Sequence, residues 1–491
     1  MAIAAFFGTG LATSAYTAAL RIPNTLRNLL GEGTLSASFI PVYSGLLGRK
    51  SSEEAQRLAG TTLGVLIALA AALSTLGVLL APWLTRVLVP GWEPDAVALT
   101  TRLVRILFPM AGFMILAAWC LGVLNSHRHF LLPFAAPGMW NLAQIGGLFV
   151  AWWAGWAPLI IALAWATLAG GALQFLVQLP AARRLAGRLR LSTDTSWEPA
   201  RRVLRNAPPV MLGAGIAQIS GLVDVALASL LGEAALAVLY FAQRLYYLPL
   251  GLFGTAVAAA SLPELSREAE FSELSALRDR LLRGFRDILF AVLPAAFFFI
   301  LFGDWVVAML FQRGDFTAES TALVQGALAA YAIGLPAASS VKLFASGFHA
   351  MLDTRTPVRY AIVGLAVGTA VAAVLMWPLY AAGLAVGAAV GSWLYLLLLW
   401  RGLRVRLGPL LDRREIVHVA RLLAACGAAS AAASLLLFAL DASEPELVSQ
   451  LARASLTAGT LVTFGVVYVA AARLFGALPA GGLKPWTDRG R

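Results

Sequence analysis

The sequence predicts an all-α polytopic membrane protein, and two observations carry that prediction. Of the 491 residues, 60% are hydrophobic and only 13% are charged, and the mean hydropathy is +0.79. A soluble chain of this length needs far more polar surface. Apolar runs of about 20 residues, enough to cross a hydrocarbon core of roughly 30 Å, recur along the whole chain. Helices are the expected spanning elements, because the short alternating segments typical of membrane β-strands are missing.

The apolar runs divide into a short remnant and a series of longer spans. Residues 1–8 are too short to cross, so we expect a truncated first helix and fourteen spans in a complete protein, with more codons upstream. The longer spans are predicted at 11–46 (interrupted at 31–33), 58–86, 97–124, 130–154, 157–182, 203–231, 234–263, 283–311, 319–350, 357–379, 382–402, 416–440 and 449–475.

Arginine and lysine collect in alternate loops between these spans, which is the positive-inside signature of cytoplasmic loops. The intervening turns, such as 92–95 and 441–446, are short and acidic or neutral. The placement of the excess positive charge, +12 overall, therefore predicts the orientation of the chain in the membrane, with both termini cytoplasmic. It does not indicate nucleic-acid binding. The basic loops include Arg49, Lys50, Arg57, Arg128, Arg183, Arg184, Arg188, Arg190, Arg201, Arg202, Arg267, Arg278, Arg280, Arg355, Arg359, Arg404, Arg406, Arg413 and Arg414.

Two stretches, 14–44 and 238–266, follow the same order of features and predict an internal repeat. Each has an apolar helix with an arginine, then a proline, a glycine, small residues and Pro-x-x-Ser. An even number of spans separates them, so they predict two parallel six-helix lobes related by pseudo-symmetry, although chance similarity between apolar helices is the alternative. The predicted organisation is an N-lobe at 1–185, a basic cytoplasmic linker at 186–202, a C-lobe at 203–406, a C-terminal helix pair at 416–476 and a cytoplasmic tail at 477–491.

A polar stripe runs along the helix predicted over 17–28. At 100° per residue, one face collects Ser14, Thr17, Arg21, Asn24 and Asn28, with Arg27 on its flank. Ionisable groups inside spans are costly, so such a stripe is expected to line a water-filled cavity. The alternative is that the arginines snorkel to the headgroups.

Arg244 takes the matching place in the second lobe. Guanidinium groups from both lobes, facing a central cleft, would form a cationic chamber suited to bidentate phosphate binding. The residues therefore predict an anionic, phosphate-bearing substrate. Lys342 is expected to be a further buried cation, either in the cavity or in a structural pair.

Two acidic residues are further candidates. Glu32 lies between glycines, where it could partner an arginine at a hinge or simply mark a kink. Asp224, in the apolar run 219–231, could bind a cation or a proton, but later spans offer no second acid and pairing with an arginine is the favoured alternative. No cofactor is predicted, and coupling to Na⁺, H⁺ or the membrane potential stays open.

Enzymatic constellations are missing from the sequence, so we expect a non-enzyme. The four histidines have neither metal-ligand spacing nor a Ser/His/Asp arrangement, and no P-loop occurs. The two cysteines, Cys120 and Cys426, lie in apolar stretches and are expected to fill the core.

Six motifs in a fixed order cover nearly the whole chain. They are FGTGLATSAYTAALRIPNTLRNLLGEGTLSASFIPVY (7–43), LAPWLTRVLVPG (80–91), LNSHRHFLLPFAAPGMWN (124–141), YFAQRLYYLPLGLFGTAVAAASLPELS (240–266), LFQRGDFTAEST (310–321) and FHAMLDTRTPVRYAIV (348–363). Through them the sequence resembles the MurJ/MviN lipid II flippases of the MOP exporter superfamily. The resemblance implies fourteen helices, a cationic central cavity, alternating access and export of an undecaprenyl-diphosphate-linked disaccharide-pentapeptide.

The resemblance also assigns residues. Arg27 matches an arginine of the family's second helix, Glu32 the acid of its AEG motif and Arg244 the arginine of its ADRL-like motif. Two family aspartates are replaced, by Ser14 and Gln243. The family's first half-helix, with its substrate-contacting arginines and aspartate, is absent. Either the start codon is placed too late, which is simpler, or the chain is a diverged paralogue with another substrate.

The leading hypothesis is a lipid II flippase of the inner membrane. The alternatives are a flippase for another undecaprenyl-linked glycan, a multidrug/cation antiporter of the same superfamily, and a membrane-embedded glycosyltransferase or scaffold for wall synthesis. The expected partners are the lipid-linked substrate, membrane lipids and possible cell-wall synthesis proteins, with no nucleic acid. Arg21, Asn24, Arg27, Glu32, Arg244 and Lys342 are the predicted substrate-binding residues, and Asp224 is the candidate ion-binding residue.

Overall fold

The computed structural model describes residues 1–49, 51–255, 274–410, 412–440 and 450–478, and every regular element among them is helical. The helices are α1 (Ala2–Phe7), α2 (Leu11–Leu30), α3 (Glu32–Gly48), α4 (Ser52–Leu88), α5 (Pro94–Ser126), α6 (Leu131–Ala135), α7 (Pro137–Trp153), α8 (Leu159–Ala186), α9 (Glu198–Ser229), α10 (Ala235–Pro249) with a π-helical continuation (Leu250–Thr255), α11 (Leu274–Phe311), α12 (Ala318–Ala350), α13 (Arg355–Leu379), α14 (Ala381–Leu407), α15 (Arg413–Ala439) and α16 (Gln450–Leu474). The predicted all-α fold is confirmed.

Ten helices in the described part of the chain are long and apolar enough to cross a membrane. The number is lower than the predicted fourteen because several predicted spans are short, broken or polar. The span predicted at 11–46 breaks at Gly31 into α2 and α3, and the one at 130–154 divides into α6 and α7 beside Pro137. Within α9, the apolar stretch among the described residues is only 12 residues long, Gln218–Ser229. The chain is thus a multi-pass membrane protein, while the number fourteen stays a prediction.

The chain packs as two compact units. The first unit is Gly10–Leu236, and the second is Met1–Thr9 with Ala237–Arg491. Helix α9 packs on α2, α3 and α4 and therefore belongs to the first unit, whereas the sequence repeat placed 203–231 in the second lobe. The two units are defined by packing, and the two lobes were predicted from the sequence repeat. The lobe boundaries therefore stay a prediction.

In the first unit, α5 is the central helix and packs against α2, α3, α4 and α8. Several of its large side chains are fully buried there, among them Trp119, whose indole Nε1 donates to the Ala59 carbonyl at 3.1 Å. Phe39 and Tyr43 of α3 stack with ring centroids 5.0 Å apart in the same core. Helix α2 is thereby held on a rigid support, which matters because it carries the polar stripe.

In the second unit, α12 packs against α11 and α14, and α13 packs against α14. The C-terminal pair α15 and α16 packs on α11 through an aromatic cluster that includes Phe298, Phe302 and Phe464. Tyr468 anchors this pair, because its hydroxyl donates to the Phe290 carbonyl at 2.7 Å. Helix α1 joins the unit through the loop after α11, where the Asp315 amide donates to the Ala5 carbonyl at 3.0 Å.

Both cysteines are buried and unpaired by disulfide. Cys120 lies in the core of the first unit and Cys426 in the aromatic cluster of the second. The predicted core-filling role is confirmed for both.

Candidate functional site

The polar stripe predicted on α2 exists. Helix α2 buries Ala15, Ala18 and Ala19 among its apolar residues, and these small side chains let it lie close to its neighbours. Its polar side chains Thr17, Arg21 and Asn24 are half-buried, at a spacing of four and three residues. They therefore form one line along the helix.

Three buried polar atoms of this stripe have no hydrogen-bond partner among the described residues: Thr17 Oγ1, Arg21 Nε and Asn24 Oδ1. A buried polar group without a partner costs about 1–3 kcal/mol, and folded proteins avoid it almost everywhere. Three such atoms on successive turns of one helix therefore indicate a place where water or a polar ligand completes the bonding.

Helix α9 faces the stripe with a second row of residues at a spacing of three: Gln218, Gly221 and Asp224. Arg21 lies against Gly221 so closely that its guanidinium occupies the space a side chain at 221 would fill. It also interacts electrostatically with Asp224, one turn further along α9. Asn28 Nδ2 donates to Gln218 Oε1 at 3.4 Å. The two rows form a polar seam within the first unit, which we call the α2–α9 seam.

Arg27 lies in the last turn of α2 and is half-buried. A cation there is favoured by the helix dipole, by about 0.3–1 kcal/mol. The helix ends immediately afterwards at Gly31, whose amide donates to the Arg27 carbonyl at 2.7 Å and whose ψ is −129°. The break expected near Glu32 is therefore present in the backbone, while the Glu32 side chain lies outside the described part of the structure.

Arg244 lies on α10 in the second unit and is exposed. Its guanidinium stands 4.8 Å from the centre of the Tyr240 ring, and Nη2 donates to the Tyr240 hydroxyl at 3.4 Å. The preceding residue, Gln243, instead points at α12, where its Nε2 donates to the Tyr331 hydroxyl at 2.9 Å. Arg244 thus has an aromatic support and no carboxylate partner among the described residues.

The expectation that Lys342 is buried is wrong. It lies on α12 and is exposed, because the next residues, Leu343 and Phe344, occupy the buried face of that helix. Its proposed role in substrate binding stays a prediction.

Sequence reasoning did not find Gln218 and Gly221. A glycine in an apolar helix is an ordinary packing residue, and nothing in the sequence marks which glycine receives an arginine from another helix. The available signal was the spacing of Gln218, Gly221 and Asp224, which places small and polar residues along one side of an otherwise apolar stretch.

The comparisons with known proteins agree with each other. The model of the family described as "Lipid II flippase MurJ" matches residues 3–453. A protein of Burkholderia cenocepacia named "Lipid II flippase MurJ" is 35% identical over 420 residues, which are 82% of this chain and 79% of that protein. A protein of Rhizobium meliloti (strain 1021) named "Probable lipid II flippase MurJ" is 33% identical over 476 residues, 95% of this chain and 88% of that protein.

Solved structures show the same fold. One titled "Lipid II flippase MurJ, inward closed conformation" superposes with a TM-score of 0.79 at 20% identity, covering 96% of this chain and 94% of that one. An inward-facing MATE family multidrug transporter of the MOP superfamily gives a TM-score of 0.67 at 16% identity, covering 83% of this chain and 97% of that one. Transporters with different printed functions thus share this fold, and the family is decided by the sequence match, which spans most of the chain: this protein belongs to the MurJ family of lipid II flippases.

Proposed function

We propose that this chain is a flippase that moves the lipid-linked peptidoglycan precursor lipid II from the cytoplasmic to the outer leaflet by alternating access. The observation that carries the proposal is the family match over 3–453, together with named relatives that agree over most of their own length. The chemistry of the α2–α9 seam is consistent with it, since the substrate of such a protein carries a diphosphate.

Phosphate recognition inside a membrane protein favours arginine. The guanidinium is planar, remains charged and presents paired donors that match phosphate oxygens. We propose that Arg21 and Arg27 of the first unit contact the diphosphate at a stage of transport, and that Arg244 of the second unit does so too. The buried, unpartnered Nε of Arg21 is one donor available for such a bond.

We also propose that Thr17 and Asn24, which lie next to Arg21 on the same stripe, contact water or the substrate. Their buried oxygens lack partners among the described residues, and water or sugar hydroxyl groups would satisfy them. Glu32 and Lys342 are kept as weaker candidates for substrate contact. Asp224 is proposed to hold Arg21 in place by its charge, with ion binding as the less favoured role.

We further propose that the chain acts as a transporter without enzymatic activity, in the inner membrane and with a cytoplasmic C-terminus. The basic loops support this orientation, because positively charged loops remain in the cytoplasm. Na⁺, H⁺ or the membrane potential is the expected source of energy. The expected partners are the undecaprenyl-diphosphate-linked substrate, membrane lipids and cell-wall synthesis proteins.

A second candidate is export of another substrate on the same fold. A MATE multidrug transporter shares the fold, so a cation-coupled exporter is one alternative. The replacement of two family aspartates by Ser14 and Gln243 favours the other, a flippase for another undecaprenyl-linked glycan. These alternatives differ in which molecule remains inside the cell when the protein is lost.

Depletion of the chain in its own host, followed by quantification of lipid-linked precursors in each leaflet, tests the proposal. We expect lipid II to accumulate in the inner leaflet while other undecaprenyl-linked glycans stay at their normal levels. Accumulation of a different glycan with unchanged lipid II would overturn the assignment of substrate, and unchanged levels of both would favour the exporter.

A further inference from the structure

A cavity of about 890 Å³ lies between the end of α4 and the start of α5, within the first unit. Helix α4 starts at Ser52, directly after the loop that holds Arg49, and carries Arg57 in its second turn. It runs for 37 residues, or about 55 Å at the usual rise, to Leu88. The cavity is therefore at the membrane face opposite that basic loop, which is the outer face in the predicted orientation.

Three arginines line this cavity. Arg86 comes from the last turn of α4, and Arg102 and Arg105 come from α5, one turn apart and hence on the same side of the helix. All three are exposed, and none takes part in an ion pair among the described residues. The acidic residues of the connecting turn, Glu93 and Asp95, do not line the cavity. Three positive charges are thus concentrated in the lining, without an ion-pair partner among the described residues.

A buried donor also lines the cavity. Trp92 is 7% exposed, and its indole Nε1 has no hydrogen-bond partner among the described residues. The turn that carries it is fixed in place, since the Gly91 amide donates to the Ser229 hydroxyl at 3.4 Å and Gly91 packs against the backbone of Ser229. A buried N–H and three guanidinium groups in the lining of one cavity are a set of donors that an oxyanion would satisfy.

The outer side of α4 next to the cavity is apolar and exposed. Trp83 is 62% exposed and Val87 is 59% exposed, and Arg86 lies between them in sequence on the same turns. Tryptophan at the end of a membrane helix is typical of the interface, where acyl chains meet headgroups. A ligand with a phosphate in the cavity would therefore have a surface for its hydrocarbon chain directly beside it.

We propose that this cavity binds the phosphate group of a lipid in the outer leaflet. Arg86, Arg102 and Arg105 hold the phosphate oxygens, Trp92 donates its indole N–H, and the acyl chains lie along Trp83 and Val87. The site is separate from the α2–α9 seam, and its occupant needs only a phosphate ester on a hydrocarbon anchor. The lining of the site is the same whichever substrate the protein transports.

Native mass spectrometry of the full chain in detergent, titrated with phosphatidylglycerol, tests this site, and inorganic pyrophosphate in a second titration distinguishes a lipid from a free phosphate. We expect the Arg102→Gln/Arg105→Gln double variant to bind phosphatidylglycerol about a hundredfold more weakly, because two charge-assisted hydrogen bonds are lost, each on the scale of a tenfold change. The matched control is Arg201→Gln/Arg202→Gln, which removes the same charge from exposed positions on α9. It should bind like the wild type.

Trp92→Phe keeps the ring and removes only the donor, so it tests the site without altering charge. We expect a smaller loss, about threefold, in the same titration. If the Arg102→Gln/Arg105→Gln variant loses pyrophosphate binding but binds phosphatidylglycerol like the wild type, the cavity is a phosphate site whose ligand is not a lipid, and the proposed lipid is overturned. Equal binding by both double variants, or a Trp92→Phe variant that binds like the wild type, would overturn the proposed donor set.

Discussion

The guanidinium of Arg21 on α2 lies against the backbone of Gly221 on α9, in the space that a side chain at position 221 would occupy. The contact places the charge of Arg21 one helical turn from Asp224, with which it interacts electrostatically. A glycine is needed at 221 because any larger residue would displace the guanidinium. The position of Arg21, which is proposed to bind the phosphate, is thus set by a residue on another helix.

Gly221→Ala should therefore reduce transport without harming the fold. Alanine favours a helix over glycine by about 1 kcal/mol, so membrane abundance should be preserved while the guanidinium is pushed away from α9. We expect about tenfold slower flipping, the scale of one charge-assisted hydrogen bond lost. Gly215→Ala is the matched control, because it lies on the same helix and its added methyl meets open space. Equal transport by the two variants would show that this contact is irrelevant.

Arg27→Ala and Arg244→Ala should each abolish rescue of a flippase-depleted strain at normal membrane abundance. Neither side chain forms an ion pair among the described residues, so its removal leaves no buried charge behind. Lysine at either position should rescue partly, since a point charge lacks the paired donors of the guanidinium. Arg201→Ala, at an exposed position, serves as the control. Full growth of either alanine variant would refute the assignment of that arginine.

Asp224→Asn should have a milder effect than the loss of either arginine. Asp224 influences Arg21 electrostatically but forms no ion pair with it, so its neutralisation should cost less stability than the breaking of a buried pair in contact. A buried pair in contact would cost about 3–5 kcal/mol. The measurement is transport per folded molecule, with and without sodium. Complete and sodium-sensitive loss at a normal protein level would instead establish Asp224 as an ion-binding residue.

The loop between α12 and α13 predicts a pH dependence of stability. The Thr356 amide and hydroxyl donate to Asp353 at 3.0 and 2.7 Å, and Arg406 pairs with it, so the pKa of Asp353 is held well below its ordinary value. Such a carboxylate stabilises the fold above its unfolded pKa of about 4, and the contribution is lost as the pH falls towards the folded pKa.

Asp353→Asn should accordingly lower the thermal unfolding temperature in detergent, relative to the wild type, by an amount that does not change between pH 5 and 8. The difference from the wild type should shrink below about pH 4. Asp95→Asn, which removes an exposed carboxylate from the first turn of α5, is the control. A deficit that stays constant down to pH 3 would indicate that the charge of Asp353 contributes nothing.

The fold was largely predictable because a membrane restricts the choice of structure. Apolar length alone identified α4, α5, α8 and α11 as spans. The breaks at Gly31 and near Pro137 changed the boundaries, and only the first was anticipated, from the glycines around Glu32. Packing was less visible, since contact between α9 and α2 depends on side-chain fit across distant segments, which periodicity does not encode.

The site was predictable on one side of the α2–α9 seam. The stripe of Thr17, Arg21 and Asn24 follows from helical spacing within one segment. The role of Gly221 could not be inferred, because it depends on the missing side chain that leaves room for Arg21. The burial of Lys342 was predicted wrongly, because hydrophobic neighbours in the sequence do not decide which face of the helix a residue occupies.

Reconstitution of the purified chain into proteoliposomes with fluorescent lipid II in one leaflet measures lipid II transport directly. We expect protein-dependent transfer to the other leaflet, abolished in an Arg27→Ala/Arg244→Ala double variant and retained in Arg201→Ala. Transfer no faster than in protein-free liposomes, under an imposed membrane potential and with sodium and proton gradients tested in turn, would contradict it.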